Sequence, residues 1–66
     1  MPYLRVAAAL RERIEAGEWQ SGQALPGMND LAAQYGVSRG AVANAMRVLE
    51  AEGLVQVVSR WGVFRV

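Results

Sequence analysis

The side chains equipped for chemistry in this sequence are seven arginines, six carboxylates and a few amides and hydroxyls, with no histidine, cysteine or lysine. Without histidine or cysteine, the usual proton shuttle, the thiolate nucleophile and the commonest zinc ligands are missing. The carboxylates, five glutamates and Asp30, are not placed as the convergent pair that acid/base catalysis needs. No catalysis, cofactor or metal is therefore expected. Arginine suits a different task, because its planar guanidinium forks onto a phosphate or onto O6 and N7 of a guanine. Ser38, Arg39, Gly40, Asn44 and Arg47 lie within one run of ten residues. A helix starting there would offer free N–H groups to an anion, with hydroxyl, guanidinium and amide groups close by. That is the chemistry of recognising a polyanion.

Charge supports this only locally. The net charge is +1, a weak field for a polyanionic partner. Five of the six acids fall within residues 11–18 and 50–52, whereas Arg39, Arg47, Arg60 and Arg65 lie in the second half, so any basic face belongs there. At 66 residues the chain is read as one domain, 1–66, with a small core. The longest apolar run, Val6 to Leu10, is far too short to span a bilayer, and no signal peptide is evident, so no membrane partner and a cytoplasmic, nucleoid-associated location are expected.

The elements that must position these residues follow from periodicity. Tyr3, Val6, Leu10 and Ile14 recur at three- and four-residue steps, predicting a helix over about 3–16 that opens on Pro2 and stops at Gly17. The run GEWQSGQALPG reads as a loop pinned to the core by Trp19 and Leu25. A second helix is expected over about 28–35, its Gly27 cap lacking a side-chain oxygen that Asn29 or Asp30 would supply. Gly36 ends it, and Ser38 caps a third helix over about 38–52 with Val42, Ala45, Met46 and Leu49 facing inward. The valine-rich remainder, about 55–66, reads as a β-hairpin turning around Arg60 to Gly62. The fold class is mostly α with a small β-hairpin.

Why Gly36-Val37-Ser38 interrupts the alanine-rich run LAAQYGVSRGAVANAM is answered by a helix-turn-helix. Ala32 is small where two helices cross, Gly36 sits at the turn, Val37 anchors it, and Val42 fills the angle between the helices. With Tyr3, Val6, Leu10, Ile14 and Gly17, with Gly22 and Leu25-Pro26, and with LAAQYGVSR and VLEAEGLV, the whole chain resembles the winged helix-turn-helix of GntR-type bacterial transcription regulators.

The resemblance implies sequence-specific binding of double-stranded DNA by a regulator, most simply a repressor. It implies a third helix in the major groove, a wing beside the minor groove, and a homodimer on an inverted-repeat operator. Residue by residue, it points first to Arg39 after the cap, then to Ser38, Gly40, Asn44 and Arg47 on the third helix, to Asn29 on the second, and to Arg60, Trp61 and Gly62 at the wing tip. The chain departs from the family pattern in carrying Asn29 and Ala43 where arginines are usual, and Arg60-Trp61-Gly62 for a Gly-x-Gly tip. Family members continue into a ligand-sensing, dimerising domain; no such effector domain is expected within these residues. Three bland readings stand beside these: Arg47 paired with Glu50, Trp19 as core, and a winged helix used for protein association with weak DNA affinity.

Overall fold

The apolar stripe of the first helix is buried almost completely, with Val6, Leu10 and Ile14 at 0–1% exposure and Ala7 beside them. The computed structural model describes residues 1–60 and 62–66. In chain order the elements are α1 (Pro2–Glu15), α2 (Met28–Tyr35), α3 (Arg39–Ala51), β1 (Val55–Val58) and β2 (Gly62–Arg65). The first and third helices are each offset by a residue from the sequence-based bounds, as fraying ends allow.

Proline starts α1, where a missing N–H costs nothing. The helix stops as Gly17 turns left-handed and the Glu18 N–H reaches back to the Arg13 carbonyl, 3.1 Å away. The same closure ends α2: Gly36 has φ 64°, and the Val37 N–H reaches the Ala32 carbonyl at 3.0 Å. Two residues later Ser38 begins α3, its Oγ accepting from the Ala41 N–H at 3.1 Å. The turn is short because Gly36 takes the backbone where a side chain would be strained. Val37 is half-buried against the core, anchoring the turn as its position predicts.

The third helix is the keel of the molecule. Val42, Ala45, Met46 and Leu49 are buried at 0–1% exposure and face α1, α2 and the hairpin root, where Leu31, Val55 and Val63 join them. Trp19 and Leu25 are also core, at 5% and 6% exposure. No polar or charged residue is buried among the described residues.

One local reading needs correction. Neither Asn29 nor Asp30 caps α2, whose start carries no side-chain cap hydrogen bond. Asp30 instead sits in the first turn, where a carboxylate complements the helix dipole without bonding an N–H. The loop before α2 is held by more than Trp19 and Leu25. Residues 22–25 run antiparallel beside β2, with the Leu25 N–H on the Val63 carbonyl at 2.8 Å, the Arg65 N–H on the Gln23 carbonyl at 2.9 Å, and the Gly22 N–H on the Arg65 carbonyl at 2.7 Å. The glycines and proline there hid a pairing segment, because strand propensity depends on context more than on residue type.

Candidate nucleic-acid interface

An α-helix with about 3.6 residues per turn brings Gly40, Asn44 and Arg47 onto one stripe, directly opposite the buried stripe of Val42, Ala45, Met46 and Leu49. All three are exposed, so the outer flank of α3 stands proud of the molecule. Arg39, also exposed, is rotated from that stripe toward the hairpin. It lines a cleft of about 740 Å³ with Asn29 and Asp30 from the first turn of α2, and with Ser59, Arg60 and Gly62 from the wing. The structure thus brings Arg39, Asn29, Arg60 and Gly62 together around one depression, with Ser38 and Gly40 on either side of Arg39. It sets Asn44 and Arg47 one and two turns further along the same helix. Trp61 lies outside the described residues.

The arginines divide by use. Arg11 grips Glu52 with two hydrogen bonds, Nε to Oε1 at 2.7 Å and Nη2 to Oε2 at 2.6 Å, joining α1 to the end of α3. Arg13 gathers Glu18, the Tyr35 hydroxyl and the Gln34 amide, and its guanidinium lies 4.7 Å from the Trp19 ring centroid. Arg65 donates to the Trp19 carbonyl at 2.9 Å, so this residue of the basic second half serves the fold. Arg39, Arg47 and Arg60, with Arg5 on α1, make no side-chain hydrogen bond or ion pair among the described residues.

The acids nearest the α3 flank are engaged elsewhere. Glu52 is taken by Arg11. Glu50 turns toward the hairpin, its Oε2 accepting the Val57 N–H at 2.9 Å, so the pairing with Arg47 that its spacing permits is not formed. Sequence reasoning missed both engagements, since Arg11 and Glu52 are 41 positions apart and a carboxylate on a backbone N–H leaves no sequence pattern. What remains at the cleft is one carboxylate, Asp30, beside two unpaired guanidiniums.

The wing tip has a strained residue. Arg60 has φ 72°, in the left-handed region a glycine would occupy readily, and Gly62 has φ 119°. An arginine thus stands at the tip in a conformation that glycine adopts more readily.

An exposed helix flank, unpaired arginines beside it and a hairpin across a shared cleft are the arrangement of a DNA-reading winged helix, and the comparisons agree. The model of "Bacterial regulatory proteins, gntR family" matches residues 2–64. The HTH-type transcriptional regulator YieP of Escherichia coli (strain K12), itself uncharacterized, is 46% identical over 50 residues, covering 76% of this chain and 22% of that protein. The histidine utilization repressor of Klebsiella aerogenes is 36% identical over 62 residues, covering 94% of this chain and 26% of that protein. The chain thus spans about a quarter or less of the length of these curated relatives. Among solved structures, AraR(DBD) in complex with operator ORX1 superposes with a TM-score of 0.95 at 30% identity, covering all of this chain and 80% of that one. With its fold, its motifs and nearly its whole length matched, the chain belongs to the gntR family of bacterial regulatory proteins.

Proposed function

We propose that the chain binds double-stranded DNA sequence-specifically as part of a transcription regulator acting as a repressor, with α3 in the major groove and the wing beside the minor groove. One observation carries the reading. The exposed flank of α3 and the adjoining cleft hold Arg39, Arg47 and Arg60 without partners among the described residues, while Glu50 and Glu52 are bound to other elements. Unpaired exposed guanidiniums along one helix flank and the cleft beside it are a footprint for phosphates and guanine edges. That the similar AraR(DBD) was solved in complex with an operator supports operator DNA as the partner of this chain.

Each site residue takes a role on this reading. Arg39 reaches a guanine or the phosphate beside it, and Ser38 donates to a phosphate while keeping its cap. Gly40 lets the duplex approach, Asn44 reads an adenine edge, and Arg47 follows on the next turn. Asn29 contacts the backbone from α2, while Arg60, Trp61 and Gly62 form the wing's contact with the minor-groove side. Two copies bind an inverted repeat, so the footprint has two-fold symmetry with half-sites about one helical turn apart.

Selection from a random duplex pool, followed by a salt titration on the selected sequence, tests this. With roughly 3 to 5 phosphates neutralised per protomer, log K falls against log salt with a slope of about −3 to −4.5 per protomer. No enriched sequence, or affinity indifferent to salt, would show that the flank serves protein association instead.

A further inference from the structure

Helix α3 ends on two glutamates, Glu50 and Glu52, with no basic residue in its last turn. A carboxylate near a helix C-terminus is opposed by the helix dipole, so each needs an offsetting partner. Glu52 has Arg11. The partner of Glu50 is a backbone group of the wing, the Val57 N–H at 2.9 Å.

The geometry of the hairpin explains why that N–H is available. Val57 pairs with Val63 across the antiparallel ladder. The Val63 carbonyl is turned the other way, onto the Leu25 N–H at 2.8 Å. Val57 and Val63 therefore form a non-hydrogen-bonded pair, in which the backbone groups of both residues point outward from the ladder. On β1 that direction is the free edge of the sheet, and Glu50 occupies it, in the place where an unpaired edge would invite another strand.

Apolar contact holds the hairpin mainly through Val55 and Val63. Along β1 Val55 is buried and Val58 half-buried, whereas Gln56 and Val57 between them are exposed, Val57 at 38%. Beside the apolar hold of Val55 and Val63, the carboxylate of Glu50 gives the exposed middle of β1 a polar tie to the recognition helix. We propose that Glu50 is a positioning residue that holds the wing's edge strand to α3 and so sets where the wing tip meets a bound duplex. The second half of this proposal rests on the DNA-binding reading above. By turning to Val57, Glu50 also leaves Arg47, three residues earlier, unneutralised for the duplex.

Simple electrostatics predicts the opposite result from positioning. Deleting a carboxylate close to a polyanion should tighten binding, whereas deleting a positioning residue should loosen it. The test compares Glu50→Ala with Glu50→Gln, which loses the charge but keeps an acceptor oxygen. In the free protein, Glu50→Ala is expected to speed exchange of the Val57 amide by about three- to tenfold, the worth of one exposed hydrogen bond. Glu50→Gln should retain most of the protection, and unchanged protection of the Leu10 and Leu49 amides shows that the fold is intact. On the selected duplex, Glu50→Ala is expected to weaken binding by about three- to tenfold and to blur the hydroxyl-radical footprint opposite the wing, with Glu50→Gln restoring both. Unaltered Val57 exchange in the alanine variant overturns the hold itself. Tighter or unchanged binding with an unaltered wing footprint overturns its consequence for DNA. If the parent protein selects no duplex at all, the DNA-binding reading fails and the consequence for DNA fails with it, while the exchange measurement still decides the hold.

Discussion

Arg60 combines a cost and a use in one residue. Its φ of 72° lies where an L side chain is strained, by roughly 1 to 2 kcal/mol, and nothing among the described residues bonds its guanidinium in return. Strain kept at an exposed tip points to a role outside the folded chain. Arg60→Gly should relieve the strain and lose part of that gain to the greater freedom of glycine when unfolded, leaving a net stabilisation of about 0.5 to 1 kcal/mol. The same change should weaken DNA binding and make the salt slope shallower by about 0.9, one phosphate contact. Weaker binding with an unchanged slope would remove Arg60 from the phosphate contacts. Arg39 is the complementary case, exposed and unstrained at the first position of α3, where the helix dipole disfavours a cation. Arg39→Ala should therefore leave thermal stability unchanged or slightly raised, yet cost specific binding about 1 to 3 kcal/mol and relax preference at one base pair. Unchanged affinity would remove Arg39 from the readout.

Among the elements, the turn between α2 and α3 matters most, since it sets the angle at which the outer flank of α3 is presented. Gly36 there has φ 64°, and a Cβ added to it would meet nothing within 4 Å. Any penalty at this position is therefore one of backbone conformation, with no clash to relieve. Gly36→Val places a β-branched residue where such residues are genuine outliers, and the loss should be about 2 kcal/mol or more, a large share of the stability of so small a domain. Gly36→Ala should lose less, and the difference can be read from urea melts of the two variants; parent-like melting of the valine variant would mean that the turn relaxes. This turn was legible in the sequence because Ala32, Gly36, Val37, Ser38 and Val42 each answer a distinct steric demand at a fixed interval. The inward face of α3 was legible for the same reason, since Val42, Ala45, Met46 and Leu49 repeat with the helix. The strand-like pairing of residues 22–25 was hidden, as its bonds run to β2 some forty residues later and its glycines and proline resemble an ordinary loop. The positions of Arg39 and Arg47 could be foreseen from their helix. Their freedom from acidic partners could not, because it depends on where Glu50 and Glu52 turn in three dimensions.

Across the whole molecule, two arginine–glutamate clasps, built on arginines two residues apart near the end of α1, hold the helices to one another. Arg11–Glu52 ties α1 to the end of α3, and Arg13–Glu18 closes the exit of α1, with Tyr35 of α2 bonded to the same guanidinium. Side-chain hydrogen bonding by arginine holds both Glu52 and Glu18 below the usual glutamate range. A carboxylate whose pKa is lowered in the folded state stabilises that state above its unfolded value, and the contribution disappears as pH falls through the lowered folded value. The two clasps should therefore be fully effective at neutral pH, begin to weaken near the usual glutamate pKa of about 4.3, and be lost below it. All four groups are partly exposed and screened by solvent, so each clasp contributes modestly, and the effect is best sought as a difference between variants. Glu52→Gln should lower the melting temperature slightly at pH 7 and flatten its decline between about pH 5 and pH 3, because one of the two titrating clasps is gone. Glu18→Gln should do the same, and the double variant should be flatter than either alone, since the clasps share no residue. A steep acid decline that survives in the double variant would place the origin of the acid sensitivity in other carboxylates. Because Arg11–Glu52 leaves the outer flank of α3 untouched, Glu52→Gln should also bind the selected duplex at neutral pH as the parent does, as long as the variant stays folded at the temperature of the measurement.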